Sequence, residues 1–155
     1  MNQVDERIQI KLDRIEQSHR IEQDNSALLV VDMQHGFLDE GASLEVPRGR
    51  EILPNIVQLV AACRQQQIPV IFTEFVYATM IPCLRGDPFG PEHLPAEKGQ
   101  PTGYGFASNN CLIGPGAGRG EESAATVEAL APRDDELVIQ AHTYDKFYGT
   151  HLDLA

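Results

Sequence analysis

The sequence predicts an α/β domain built around a parallel β-sheet. Three apolar segments have the length of buried strands, at residues 27–31, 68–75 and 135–142. An amphipathic helical pattern lies between the first two, and the linker that follows it is short, as in a strand–helix–strand unit. That order favours parallel strands joined by a right-handed crossover. The 155 residues correspond to about one domain, so we predict a single domain over 1–155.

The N-terminal segment, residues 1–25, is expected to hold an amphipathic helix over about 3–22. Its apolar side chains recur every three or four residues, which is the helical period. They are Val4, Ile8, Leu12 and Ile15, and His19 continues the same spacing. Such a helix either docks on the domain or contacts another copy of the chain, and we expect a homo-oligomer.

A carboxylate closes the first strand, in the segment ALLVVDMQHGF. The apolar run stops at Asp32, which therefore lies at the carboxyl end of a strand, where ligands bind in open α/β sheets. Partial burial there would let neighbouring groups shift the pKa of the Asp32 carboxyl. The alternative is that Asp32 only caps the following turn.

The first crossover is predicted as a helix from about residue 47 or 50 to 66. Its apolar stripe consists of Ile52, Ile56, Leu59, Val60 and Cys63. Pro54 is expected near the helix start, where a missing N–H costs least. The second strand follows, with Pro69 close to its beginning.

The segment 78–118 lacks a sustained period and is rich in Pro and Gly. Its many apolar and aromatic residues argue for order, so we predict a folded insertion that covers a site like a lid. A short helix over 120–132, ended by Pro132, and the third strand come next. The last residues, 144–155, are expected to begin another helix.

Three parallel strands leave an exposed edge and a poorly covered face. We therefore expect that the C-terminal strands of the sheet are missing from this chain, or that a separate, complementing chain supplies them.

Charge and composition exclude several classes of function. The net charge of −11 argues against nucleic acid and anionic membranes as partners, because both call for a basic face. Apolar runs stay below the ~20 residues of a membrane span, and the N-terminus is too charged for a signal peptide. Three scattered cysteines form neither a disulfide framework nor a CxxC pair, which favours the cytoplasm.

The segments ALLVVDMQHGF, IPVIFTEFVYA and DELVIQAHTYDKFYGTHLDLA resemble the isochorismatase-like cysteine hydrolases. The resemblance covers residues 26–78 and 119–155. It implies a three-layer α/β/α fold with a Rossmann-like parallel sheet. It also implies hydrolysis of a C–N bond in a small amide, carbamoyl or ureide substrate, as in the biuret and ureidoacrylate amidohydrolases. We predict no cofactor, and no metal, because the Asp-x-His of the related nicotinamidases does not follow the second strand.

The resemblance implies three catalytic groups, of which Asp32 matches the base. Phe37 matches an aromatic residue near the substrate, and Tyr77 is expected in the pocket wall. His35 and Gly36 depart from the Asn-Asp pair that is common in the family.

The second group, a lysine, is implied three residues before Tyr144, where this chain has Ala141. Lys146 lies five residues further on, and we expect its ammonium to point elsewhere. Ala141 then marks a natural loss of activity or a deliberate substitution, and the sequence leaves both open.

The third group, the nucleophilic cysteine, is implied on a later strand. Cys63 belongs to a helical apolar stripe, while Cys83 and Cys111 lie in the insertion, so none is assigned the role. We therefore expect an impaired hydrolase. The alternatives are a non-catalytic binding relative and a hydrolase of vinyl ethers.

Overall fold

The structure is a computed structural model that describes residues 3–42, 44–78, 110–115 and 117–155. In these residues the strands are β1 (Leu28–Val31), β2 (Val70–Phe75), β3 (Tyr77–Ala78), β4 (Leu112–Ile113) and β5 (Leu137–Ala141). The helices are α1 (Gln3–Ser18), α2 (His35–Leu38), α3 (Pro47–Gln65) and α4 (Gly120–Ala124). Single 3₁₀ turns occupy Gln23–Asn25, Glu128–Leu130 and Leu152–Leu154. None of these helices is both long and apolar enough to cross a membrane.

A three-stranded parallel sheet forms the centre, in the order β1-β2-β5. Val31 is paired with Thr73, and Phe75 with Ala141, so the carboxyl ends of all three strands meet at one edge. The predicted α/β class and the parallel sheet are confirmed. A separate parallel pair of β3 and β4 lies beyond that edge.

The main core lies on one face of the sheet. Val30 and Phe72 project from β1 and β2 against Val60 and Cys63 of α3, with Leu130 beside them. Each buried side chain of this size contributes roughly 1.5–3 kcal/mol relative to an exposed one. On the opposite face, β1 is open in the described residues, where Leu29 and Val31 are 40% and 52% exposed, whereas Thr73 and Ile139 on the neighbouring strands are buried. The second layer of helices therefore stays a prediction.

Helix α3 begins at Pro47, the earlier of the two predicted starts. Pro47 is its first residue, where no hydrogen bond is lost, whereas Pro54 lies inside the helix rather than near its start. The chain leaves the helix through Gln67 at φ +58°, and the amide of Ile68 donates to the carbonyl of Cys63. This turn leads directly into β2.

Helix α4 covers only residues 120–124 of the helix predicted over 120–132, and the rest of that prediction is wrong. After α4 the chain extends, and Thr126 pairs with Gln34 across an antiparallel bridge. The backbone N–H and hydroxyl of Thr126 both donate to a carboxylate oxygen of Glu74. These tertiary hydrogen bonds replace the helical ones. Burying a carboxylate without hydrogen-bond donors costs more free energy than this short segment would gain as a helix.

The expected helix over 144–155 is also wrong for most of its length. Residues 142–151 form turns and bends, and only Leu152–Leu154 make a 3₁₀ turn. Side chains bind the backbone locally: the amide of Phe147 donates to Asp145, and the hydroxyl of Thr150 donates to the carbonyl of Lys146. Gly149 adopts φ +70°, which a helix cannot contain.

Most of the predicted insertion lies outside the described residues, as does Cys83. The described part, from 110 onward, contributes β4 and a small core in which Leu112 and Ala117 pack against Phe75 and Tyr77. Helix α1 matches the predicted N-terminal helix within residues 1–25.

Candidate active site

Asp32 lies at the carboxyl edge of the sheet, directly after β1. Its amide donates to the carbonyl of Thr73, and the Thr73 hydroxyl donates to Oδ1 of Asp32 at 2.8 Å. The backbone of Asp32 adopts φ +52°, a conformation that non-glycine residues rarely occupy. Its side chain is 26% exposed, so the carboxylate is held firmly but remains accessible.

The expectation that the Lys146 ammonium points away from Asp32 is wrong. Nζ of Lys146 lies 3.3 Å from Oδ2 of Asp32, and the lysine side chain is only 7% exposed. The turn after β5 carries Lys146 back toward β1 and so reverses the direction expected from sequence spacing. Burial lowers the pKa of Lys146, and the charge of Asp32 opposes that effect.

Ala141, the position implied for the lysine, ends β5 as a buried residue opposite Phe75. Its carbonyl accepts a hydrogen bond from the amide of Val76. The methyl group carries no donor, so Ala141 contributes backbone only.

A cavity of about 500 Å³ opens beside Asp32. Phe37 and Tyr77, the two residues expected in its wall, both line it. The remaining lining is mostly apolar, and consists of Val31, Met33, Leu38, Leu44, Val46, Arg48, Gly49, Ile52, Phe75 and Tyr144. An apolar chamber with one carboxylate at its edge is typical of a small-molecule site.

Aromatic rings line the same cavity as Asp32. Phe75 meets Tyr77 edge to face at 4.8 Å and stacks on Tyr144 at 5.5 Å. The ammonium of Lys146 lies 4.6 Å from the centroid of the Phe75 ring, within cation–π range. Sequence reasoning missed Phe75 and Tyr144. The available signal was that Phe75 ends the strand beside β1, at the same edge as Asp32.

The comparisons with known proteins agree with this geometry. The isochorismatase domain, as a protein family, matches residues 26–155. The chain belongs to the isochorismatase family. The match contains Asp32, Lys146 and the described lining of the cavity.

Two curated relatives and one solved structure illustrate the similarity. Ureidoacrylate amidohydrolase RutB of Yersinia enterocolitica is 29% identical over 140 residues, which are 83% of this chain and 56% of that protein. A probable inactive nicotinamidase of Arabidopsis thaliana is 48% identical over 48 residues, 31% of this chain and 24% of that protein. An isochorismatase-like hydrolase from Alkaliphilus metalliredigens has a TM-score of 0.58 at 23% identity, over 83% of this chain and 58% of that one. The chain thus spans at most about three fifths of these relatives.

Gln34 anchors the start of α2 in this isochorismatase-family site. Sequence reasoning did not assign it this role. Its side chain is fully buried, accepts from the amide of Phe75 at 2.7 Å, and donates to the carbonyls of Phe75 and Ala124. These bonds hold the start of α2 against the end of β2. They therefore set the position of Phe37, one turn further along α2.

Gly36 is required at its position in α2. A Cβ there would lie 2.6 Å from both Oδ1 of Asn110 and Sγ of Cys111. The absence of a side chain lets the 110–111 turn pack against α2, which closes this side of the site.

Cys111, which sequence reasoning placed in the insertion without assigning it a role, is buried close to the site. Its Sγ donates to the carbonyl of Ser123 at 3.5 Å, and the Gln34 amide lies 3.7 Å from the sulfur. Burial raises the pKa of the Cys111 thiol to about 12, and the charges of Asp32 and Glu74 add to the rise. The thiolate is therefore scarce at neutral pH, which makes Cys111 a poor nucleophile as arranged here.

Within the described residues, no group of three or more His, Cys, Asp or Glu side chains is placed to hold a metal ion. His35 faces two carboxylates, with Nδ1 2.9 Å from Asp39 and Nε2 3.1 Å from Glu128, on the side of α2 away from the cavity lining.

Proposed function

We propose that this chain carries the acid–base part of a hydrolase that cleaves a C–N bond in a small amide, carbamoyl or ureide substrate. The observation that carries the proposal is the carboxylate of Asp32, held at the edge of the sheet with its side chain on the cavity. Membership of the isochorismatase family and the similarity to an amidohydrolase support it.

In this proposal Asp32 is the general base. It takes the proton of a thiol, and the thiolate attacks the carbonyl carbon of the substrate. The C–N bond breaks, the amine leaves with the proton from Asp32, and water then hydrolyses the thioester. Thr73 holds Oδ1 of Asp32, and Oδ2, which also contacts the ammonium of Lys146, is the oxygen that takes the proton in this proposal.

The nucleophilic thiol of this proposal comes from outside the described residues. Cys63 is packed in the core of α3, and the raised pKa of Cys111 keeps its thiol protonated. We therefore propose that the chain alone turns over slowly but measurably, and that a complementing C-terminal polypeptide would supply the attacking group. The free thiols of Cys63 and Cys111 fit a reducing cytoplasm.

The test is ammonia release from a panel of primary amides, N-carbamoyl amino acids and ureides, by the wild type, Asp32→Asn and Asp134→Asn. Asp134 is an exposed turn residue and serves as the matched control. Loss of a general base lowers turnover by about 10²- to 10⁴-fold, so Asp32→Asn should do so and Asp134→Asn should not. Equal ammonia release by Asp32→Asn would overturn the role of Asp32. Masses of the products separate C–N cleavage from cleavage of a vinyl ether.

A second candidate is a binding relative without catalysis. The protonated thiol of Cys111 and the similarity to a relative described as probably inactive favour it. It predicts saturable binding of an amide in the cavity, detected by perturbed NMR signals of Phe37 and Tyr77, with no ammonia released at any protein concentration.

A further inference from the structure

We infer that Lys146, rather than the residue at the end of β5, supplies the cation of this site, so that the lysine has moved five residues along the chain. The inference rests on the proposed function for its catalytic consequence. It changes the meaning of Ala141, which then marks a relocated lysine and not a lost one.

The topology shows why a lysine on the turn can serve. Strand β5 is separated from β1 by β2, so two interstrand spacings of about 4.8 Å lie between position 141 and the end of β1. Lys146 leaves the sheet altogether and returns above the central strand. Its ammonium lies 4.6 Å from the Phe75 centroid and 3.3 Å from Oδ2 of Asp32.

The turn that carries Lys146 is anchored at its start and held by hydrogen bonds within itself. Nδ1 of His142 donates to the carbonyl of Val76 at 2.8 Å, which anchors the start of the turn to the end of β2. Asp145 accepts from the amide of Phe147, and Thr150 donates to the Lys146 carbonyl. The lysine backbone is thus positioned before any ligand arrives, which is what a positioning group requires.

The burial of the ammonium argues against a purely structural pair. Lys146 is 93% buried, yet Nζ has no well-aligned hydrogen bond to any acceptor in the described part of the chain. Its contact with Asp32 is therefore a charge–charge contact that leaves N–H donors unused. Buried donors normally have a hydrogen-bond acceptor. The free N–H groups of Lys146 are therefore expected to bind an acceptor atom of a ligand or nucleophile.

The first experiment measures the pair without any turnover. The chain has three lysines, Lys11, Lys98 and Lys146, so ¹³C-labelled lysine gives few signals, and Lys146→Met assigns the relevant one. The charge of Asp32 raises the pKa of Lys146, so Asp32→Asn should lower its titration midpoint by about one pH unit or more. The other group that acts on Lys146 is the Cys111 thiol, so the titration is repeated in Cys111→Ala, where the effect of Asp32→Asn should persist. An unchanged midpoint in Asp32→Asn overturns the inference.

The second experiment moves the lysine. Lys146→Met should lower turnover, or the affinity for the best amide of the panel, by at least about tenfold, while Lys11→Met on exposed α1 should leave both unchanged. Added methylammonium should restore part of the loss in Lys146→Ala, which a structural role would not allow. Ala141→Lys with Lys146 retained should not raise turnover, because the ammonium of Lys146 already lies beside Asp32. A rise in turnover of about tenfold or more in Ala141→Lys overturns the inference, because it would mean that the site lacked its cation.

The two proposals fail separately. An Asp32-dependent titration of Lys146 together with no amide turnover or binding by the wild type sinks the proposed function, while the assignment of the cation to Lys146 stands. Turnover that needs Asp32 but is unaffected by Lys146→Met sinks the assignment and leaves the proposed function.

Discussion

At the scale of single residues, burial acts on Cys111 and Lys146 in the same sense, toward the uncharged form. Burial is the largest cause of the raised pKa of Cys111 and of the lowered pKa of Lys146. The charge of Asp32 affects the charged forms of the two groups in opposite senses, because it stabilises the ammonium of Lys146 and destabilises the thiolate of Cys111. The site is therefore built to keep a cation near Asp32 and to keep the Cys111 sulfur neutral.

Cys111 should resist alkylation in the folded chain. With a pKa of about 12, about one molecule in ten thousand carries the thiolate at pH 8, whereas an ordinary cysteine is roughly a quarter ionised. We expect iodoacetamide to modify Cys111 about a thousandfold more slowly than in chain unfolded by guanidinium, measured by mass spectrometry of its tryptic peptide.

Asp32→Asn removes one of the charges that raise this pKa, so the same reaction should accelerate in that variant. Asp134→Asn is the control and should leave the rate unchanged. Equal alkylation rates in the folded and unfolded wild type would contradict the protonated state of Cys111.

At the scale of elements, α3 is tied to the beginning of β5 by one ion pair. Nε and Nη2 of Arg64 donate to the two carboxylate oxygens of Glu136, each at 2.7 Å, and Nη2 also donates to the carbonyl of Ala131. Both side chains are largely buried. This bidentate contact aligns the third strand with the helix of the first crossover.

The Arg64–Glu136 pair should make stability depend on acid pH. The hydrogen bond from Arg64 lowers the pKa of Glu136, so the stabilisation is complete above the ordinary glutamate pKa and disappears as the pH falls through the lowered value. Relative to Glu136→Gln, we expect the wild type to be about 1–3 kcal/mol more stable at pH 7, and the difference to shrink below about pH 4.5. Urea unfolding from pH 7 to 3 measures it, with Glu51→Gln on the exposed side of α3 as the control. A difference that is constant across this range would contradict the pair.

Helix α1 leaves its apolar stripe exposed. Ile8, Leu12 and Ile15 share one helical face and are 52%, 52% and 46% exposed. A helix of 16 residues is marginal in water unless its apolar face packs against something. We therefore expect this stripe to bury itself against a second copy of the chain.

Sedimentation equilibrium tests the α1 contact. Leu12→Asp should shift the mass toward that of one chain, while Gln17→Asp, on the opposite side of α1, should not. A wild-type mass of one chain at every concentration would exclude the contact.

At the scale of the whole molecule, the two faces of the sheet differ sharply along its edge strand β1. Neighbouring residues of β1 show it: Val30 is 4% exposed beneath α3, whereas Val31 is 52% exposed on the open face beside the cavity. The contribution of β1 to the folding free energy therefore comes mainly from one side of the sheet.

The two valines make a matched pair for testing that asymmetry. Val30→Ala should lower the free energy of unfolding by about 1–3 kcal/mol, because it removes buried methyl groups and leaves a cavity. Val31→Ala should change it by less than about 0.5 kcal/mol. Denaturant melts of both variants provide the comparison, and equal losses would show that the open face is covered in solution.

Local pattern by itself determined the parallel sheet, the helix of the first crossover and the carboxylate at the end of β1. Apolar runs and helical periods are set by which side chains must leave water, and neighbours along the chain suffice to see them. Tertiary structure alone decided that Thr126 binds Glu74 instead of continuing a helix, and that Lys146 rather than position 141 meets Asp32. Both depend on contacts between residues more than fifty positions apart. A buried charged group is stabilised by whichever partner lies close to it in space. Spacing along the sequence does not encode that distance.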